Sequence, residues 1–165
     1  MVRFLIAFDS CQNRDMKLRH RYLLPLFALF LAAITGCQGG DAAEKSKADA
    51  TNAASHWLGM VDQGKYTEAW NGAADAIKKA GNQQRFAEAM RAQREPMGKV
   101  TSRALEASQY AKNPQNFPPG EYVELKYKTS FDNAPSGEEL LQLVKTSDGS
   151  WKVGAYFPSQ NQQKR

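Results

Sequence analysis

The chain has 165 residues, 24% of them charged, and a formal net charge of +5 at pH 7. Residues 1–37 carry five Lys or Arg against two Asp or Glu, so residues 38–165 keep only +2, spread among alternating lysines and glutamates. That excludes the concentrated basic stripe of a nucleic-acid binder. From residue 37 onward there is one cysteine, Cys37, and one histidine, His56, which excludes an internal disulfide and leaves too few Cys or His ligands for a dedicated zinc centre. Neither a metal nor a cofactor is expected.

The amino-terminal part reads as a targeting segment. Residues 17–21, "KLRHR", are basic, and residues 22–34, "YLLPLFALFLAAI", are apolar apart from Pro25. A membrane-spanning helix needs about 20 apolar residues, so this run is too short. A basic patch, a short apolar core and small residues in that order make a signal peptide, here over 1–36. Asp9 and Asp15 suit such a segment poorly. A start at Met16 gives a clean basic beginning, so translation is expected to begin there.

The order Ile34-Thr35-Gly36-Cys37 resembles the bacterial lipobox. The resemblance implies cleavage between Gly36 and Cys37, with a diacylglycerol on the Cys37 sulfur, a role for which a thiolate nucleophile is suited. Stable anchoring takes two or more acyl chains, so the membrane is the expected partner. Among lipoproteins that this chain resembles, an aspartate after the cysteine favours inner-membrane retention. Gln38 therefore implies the periplasmic face of the outer membrane.

Residues 37–48 are small and polar and read as a flexible tether, with an end-to-end distance of roughly 20 Å. The domain proper is expected over 49–158. Apolar residues at Ala50, Ala53, Ala54, Trp57, Leu58 and Val61 follow helical spacing over about 49–62, and Gly64 supplies a stop. A second helix fits Tyr66, Ala69, Trp70, Ala73, Ala74 and Ile77. A third, about 82–94, carries Phe86, Ala89 and Met90 and ends before Pro96 and Gly98.

Beyond Gly98 the period becomes two. Arg103, Leu105 and Ala107 fall on one face of a first strand. After the turn region "NPQNFPPG", Val123, Leu125, Tyr127 and Phe131 share a face of the second, with Tyr122, Glu124, Lys126 and Lys128 opposite. The turn "DNAPSG" leads to a third strand, whose "LLQLV" is too evenly apolar for parity to choose a face. "DGS" reads as a tight turn. In the fourth strand Trp151, Val153, Ala155 and Phe157 fall together, and residues 159–165 form a loose tail. Helices followed by short-linked strands predict an α+β domain, with N-terminal helices packed on a curved antiparallel sheet of about four strands.

The runs "HWLGMVDQGKYTEAW", "REPMGKVTSRALEASQY", "GEYVELKYKTSF" and "WKVGAYF" resemble the bacterial family catalogued as domain of unknown function 4019. The element order is similar to the nuclear-transport-factor-2-like (cystatin-like) fold, a cone of curved sheet around helices. The family resemblance implies a fold and no catalytic residues.

Arg103 is the charge of most interest. By parity it faces the core, where an unpaired cation is costly. It either binds an anion in the mouth of the cone, or snorkels or bridges to a helix carboxylate such as Asp62; the structural alternative is favoured. Trp57, Tyr66, Trp70, Tyr127 and Trp151 could line a pocket with it, although their spacing reads first as core. His56 lies one residue off the apolar stripe and has no catalytic partner. Glu138 and Glu139 begin a strand, and Glu121 and Glu124 mark another; Glu124 sits on the lysine side. No nucleophile elbow, Cys–His pair or phosphate-cradling glycine loop occurs. Two functions follow: a non-catalytic envelope module that binds a protein partner or small ligand, or an enzyme that uses Arg103 with a carboxylate or tyrosine. The first is favoured, the second resting on fold analogy alone.

Overall fold

The computed structural model describes residues 38–160. Four helices, α1 (Gln38–Asp62), α2 (Tyr66–Gly72), α3 (Asp75–Lys79) and α4 (Gln83–Arg94), precede a short 3-10 turn, Glu95–Met97. Four strands follow: β1 (Val100–Lys112), β2 (Glu121–Phe131), β3 (Ala134–Lys145) and β4 (Trp151–Gln160). They form one antiparallel meander in the order β1-β2-β3-β4. The expected α+β architecture is found. The signal segment, the Met16 start, Gly36 and Cys37 lie outside the described residues.

One face of the sheet receives the helices. Ala50, Ala54, Trp57, Leu58 and Val61 of α1 are buried against Val123, Leu125, Leu141, Leu143 and Val153. The apolar stripe of α1 is the predicted one, but the helix is longer than expected. The reading of residues 38–48 as a coil is corrected: α1 begins at Gln38, and Ser46 is already buried. Gly39 and Gly40 disfavour helix, yet the packed stripe downstream carries it. Ion pairs Glu44–Lys47 (2.6 Å) and Lys45–Asp49 (2.7 Å) add to it locally.

The predicted second helix is two helices. It breaks at residues 73–74, where the Ala74 N–H donates to Val153 O on β4 at 2.9 Å. That bond covers part of a free sheet edge. In α4, Asn82 is the N-cap, accepting from Arg85 N at 2.9 Å. Its buried residues are Ala87, Met90 and Arg94; Ala89 is exposed and Phe86 half-buried.

The strand register shifts at four places, two of which change the expected faces. The pairing shifts between Leu105 and Ala107 on β1, and between Gln142 and Leu143 opposite Ala155 and Val153. Each bulge inserts one unpaired residue, Glu106 and Gly154, and reverses the alternation. Two expected faces are corrected accordingly. Ala107 does not follow Arg103 and Leu105, and Tyr110 packs on the core instead. On β4, Trp151 and Val153 are buried, Tyr156 packs on the core, and Phe157 is 61% exposed. On β3, the inward set is Glu139, Leu141 and Leu143. The turn between β2 and β3 is shorter than expected, since β3 starts at Ala134, and β4 continues to Gln160 rather than stopping before a tail at 159.

Candidate functional site

A cluster of charge, buried at Glu139 and Arg94, half-buried at Arg103 and open to solvent at Asp62, joins the helices to the start of the sheet. Arg103 on β1 is placed by its pairing with Thr129 on β2. Glu139 on β3 lies in register with Tyr127. The end of α1 brings Asp62, and the end of α4 brings Arg94. Arg103 Nε donates to Glu139 Oε2 at 2.6 Å and Nη2 to Oε1 at 3.1 Å. The same guanidinium grips Asp62, Nη1 to Oδ2 at 2.7 Å and Nη2 to Oδ1 at 3.0 Å. Arg94 Nη2 donates to Asp62 Oδ1 at 2.9 Å.

Glu139 has no solvent exposure. Besides Arg103 it accepts from Thr129 Oγ1 and from the Tyr156 hydroxyl, each at 2.6 Å. Each carboxylate oxygen thus receives two donors, which fills its lone-pair capacity. Two arginines face two carboxylates, so the cluster is neutral as a unit. Burial alone would lower the Arg103 pKa, but hydrogen bonds to Asp62 and Glu139 outweigh it and raise it further. Burial raises the Tyr156 hydroxyl well above its ordinary value, with the Glu139 charge acting in the same direction. Arg94 lies 4.5 Å over the Phe131 ring, a cation–π contact. Its Nε is buried with no hydrogen-bond partner.

The cluster therefore functions as a cross-link among α1, α4 and all four strands. Its acid is saturated with donors and its principal cation is clamped from two sides. Of the two expectations for Arg103, the bridge to Asp62 is the one seen, with Glu139 as a second partner.

The aromatic residues expected around a pocket, Trp70 apart, pack in the core beside it. Trp57, Tyr66, Tyr127 and Trp151 belong to one buried core. Trp57 donates through Nε1 to Ala69 O at 2.8 Å and meets Tyr156 edge-on at 5.3 Å. Tyr66 is 6% exposed. Lys145 Nζ stands 5.9 Å from the Trp151 ring centroid. The Tyr127 hydroxyl is buried and makes no hydrogen bond. The Ser55 side chain, which opposes the rise that burial gives the Tyr127 pKa, donates its own hydroxyl to Thr51 O at 2.9 Å. Trp70 is half-buried against Phe86 at 5.5 Å, on a surface groove away from Arg103. His56 is exposed. Glu121 pairs with Lys145 at 3.1 Å and Glu138 with Lys126 at 3.3 Å.

Sequence reasoning missed Glu139, Thr129, Tyr156 and Arg94 as members of the cluster. The signal for Tyr156 is the glycine at 154, a residue that often marks a bulge inside a strand. Arg94 and Glu139 carry no such mark, because each reads as an ordinary surface charge in its own element. No group of three metal-ligating side chains occurs among the described residues, and no described helix is long and apolar enough to cross a membrane.

Neither a curated protein nor a solved structure matches the chain. A family model does, over residues 53–156, which spans the core stripe of α1, the charge cluster and β4 as far as Tyr156. The chain belongs to that family, described as protein of unknown function (DUF4019).

Proposed function

We propose that this protein is a lipid-anchored domain of the bacterial cell envelope, a non-catalytic binding or accessory module facing the periplasm, with the outer membrane as its site. The order of basic patch, apolar run and Ile34-Thr35-Gly36-Cys37 supports the anchor. The observation that carries the non-catalytic part is the saturation of Glu139 by four donor contacts while Arg103 is held by two carboxylates. A general base needs a free lone pair within reach of its proton, and an anion-binding arginine needs free N–H groups. Using Glu139 would first require breaking hydrogen bonds in the core, and Arg103 has four of its five N–H groups committed to carboxylates. The space between helices and sheet is filled by Trp57, Leu58, Tyr127 and Leu141. A cone of the nuclear-transport-factor-2-like kind is part of this reading, supported by helices laid on one face of a four-stranded meander.

Intact-mass analysis of protein taken from the native membrane tests the anchor, beside a Cys37→Ala variant. The expected wild-type species begins at residue 37 with added acyl mass, and the variant is released from the membrane. Soluble wild-type protein with a free Cys37 thiol would overturn the anchor.

A further inference from the structure

The largest exposed apolar side chain problem on this domain is at one place. Phe157, 61% exposed, is the most exposed of the large hydrophobic residues described. It borders a groove of about 410 Å³ between α3, α4 and the outer part of β4. The Trp70–Phe86 pair, Ile77, Met90 and the flank of Tyr156 line it. This volume falls in the range of small-molecule sites, about 300–1,000 Å³. The polar lining is sparse: Asn82, Gln93 and Arg85, with no acidic side chain. Arg85 is exposed, and among the described residues its side chain makes no ion pair or hydrogen bond. An apolar cleft whose single charge is an uncompensated guanidinium selects for an apolar body with one negative head, because arginine matches a carboxylate in planar, two-point geometry.

We propose that the groove binds a free single-chain amphiphilic anion, a fatty carboxylate. Its chain lies along Trp70, Ile77, Phe86 and Met90 under Phe157, and its head group meets Arg85. This deepens the binding-module reading above and rests on it. The anchor experiment reads mass and membrane partition, whereas the present one reads ligand affinity, so each can fail alone.

The test is calorimetric titration of the full chain with octanoate, decanoate and dodecanoate below their micelle concentrations, beside the cationic dodecyltrimethylammonium. Affinity is expected to rise about four-fold per added methylene, and dodecanoate to bind at least about ten-fold more tightly than the cation. Arg85→Gln is expected to remove the preference for the carboxylate while keeping the chain-length dependence. Ala89→Trp, a substitution at an exposed position on the groove wall, is expected to abolish binding without unfolding the domain, as circular dichroism would show. It also controls for uptake by the apolar run at 22–34. No carboxylate binding, binding without chain-length dependence, or unchanged binding in Ala89→Trp would each overturn the proposal. Binding only to phosphatidylglycerol vesicles, or only to an apolar peptide, would overturn it too, in favour of a membrane-surface or a protein-docking face.

Discussion

Arg103 Nε stands 2.6 Å from Glu139 Oε2, and Glu139 is wholly buried. A buried pair of this kind is weak evidence of net stabilisation, but breaking it from one side strands a charge, at about 3–5 kcal/mol. Glu139→Leu leaves two arginines facing one carboxylate and should cost that much in urea denaturation. Arg103→Met combined with Glu139→Leu leaves Arg94 and Asp62 as a balanced pair at 2.9 Å. The double variant should therefore lose less than the sum of the single changes. Strict additivity would show that the two side chains do not act as a unit.

The orphaned hydroxyl of Tyr127 predicts a stabilising substitution. Removing a buried donor that has no partner avoids its desolvation cost, so Tyr127→Phe should raise stability by about 1 kcal/mol. A loss of similar size would mean that the hydroxyl is satisfied.

The tyrosines also set an alkaline limit. Burial raises the pKa of Tyr66, Tyr127 and Tyr156. In each case the folded chain holds the phenolic proton more tightly than the unfolded chain does. The stabilisation is complete below the ordinary tyrosine value of about 10 and is lost as pH climbs past it. Thermal midpoints followed from about pH 8 to about pH 11 should fall above about pH 10, less steeply in Tyr127→Phe. A flat profile would contradict the buried state of these hydroxyls.

Two glycines should respond in opposite directions. Gly59 lies inside α1 with open space where a Cβ would stand, so Gly59→Ala should gain about 0.5–1 kcal/mol. At Gly137 a Cβ would come within 2.7 Å of Phe131 Cε2 and 3.0 Å of Thr129 O. Gly137→Ala should therefore lose about 1–3 kcal/mol through overpacking. Chemical denaturation of both variants checks the pair.

Capping gives a smaller, local effect. Asn82→Ala removes the acceptor for Arg85 N at 2.9 Å and should cost about 1 kcal/mol. Amide exchange in the first turn of α4 should accelerate while β2 and β3 stay protected.

Much of this fold is written in local periodicity. The stripe from Ala50 to Val61 and the alternation from Val123 to Tyr127 each point at one core, and both are found there. The α+β order follows from the change of period after Gly98. The partnership of Arg103 with Asp62 follows from the cost of an inward cation. Glu139 is less legible, because a glutamate beside Glu138 reads as solvated and only donors from β1, β2 and β4 make its burial tolerable. The bulge at Glu106 is hidden for another reason, and the one at Gly154 shows only as a glycine within a strand. A bulge is a property of two strands counted against each other, and β1 read alone shows unbroken alternation. Alternation alone puts Phe157 on the core face, where Tyr156 packs instead. The break after Gly72 likewise depends on Val153 O, a partner some eighty residues away in sequence.

The start of α1 bears on how an anchored domain would move. A coil after the attachment point lets a domain tumble and present any side to its surroundings. Here the helix begins at Gln38 and runs unbroken to Asp62, about 37 Å at 1.5 Å per residue, with its far end clamped by Arg94 and Arg103. A lipid on Cys37 would join a stiff mast rather than a leash. Torque at the bilayer would pass along α1 into the sheet, and the domain would keep a restricted attitude, offering the same flank to whatever diffuses past.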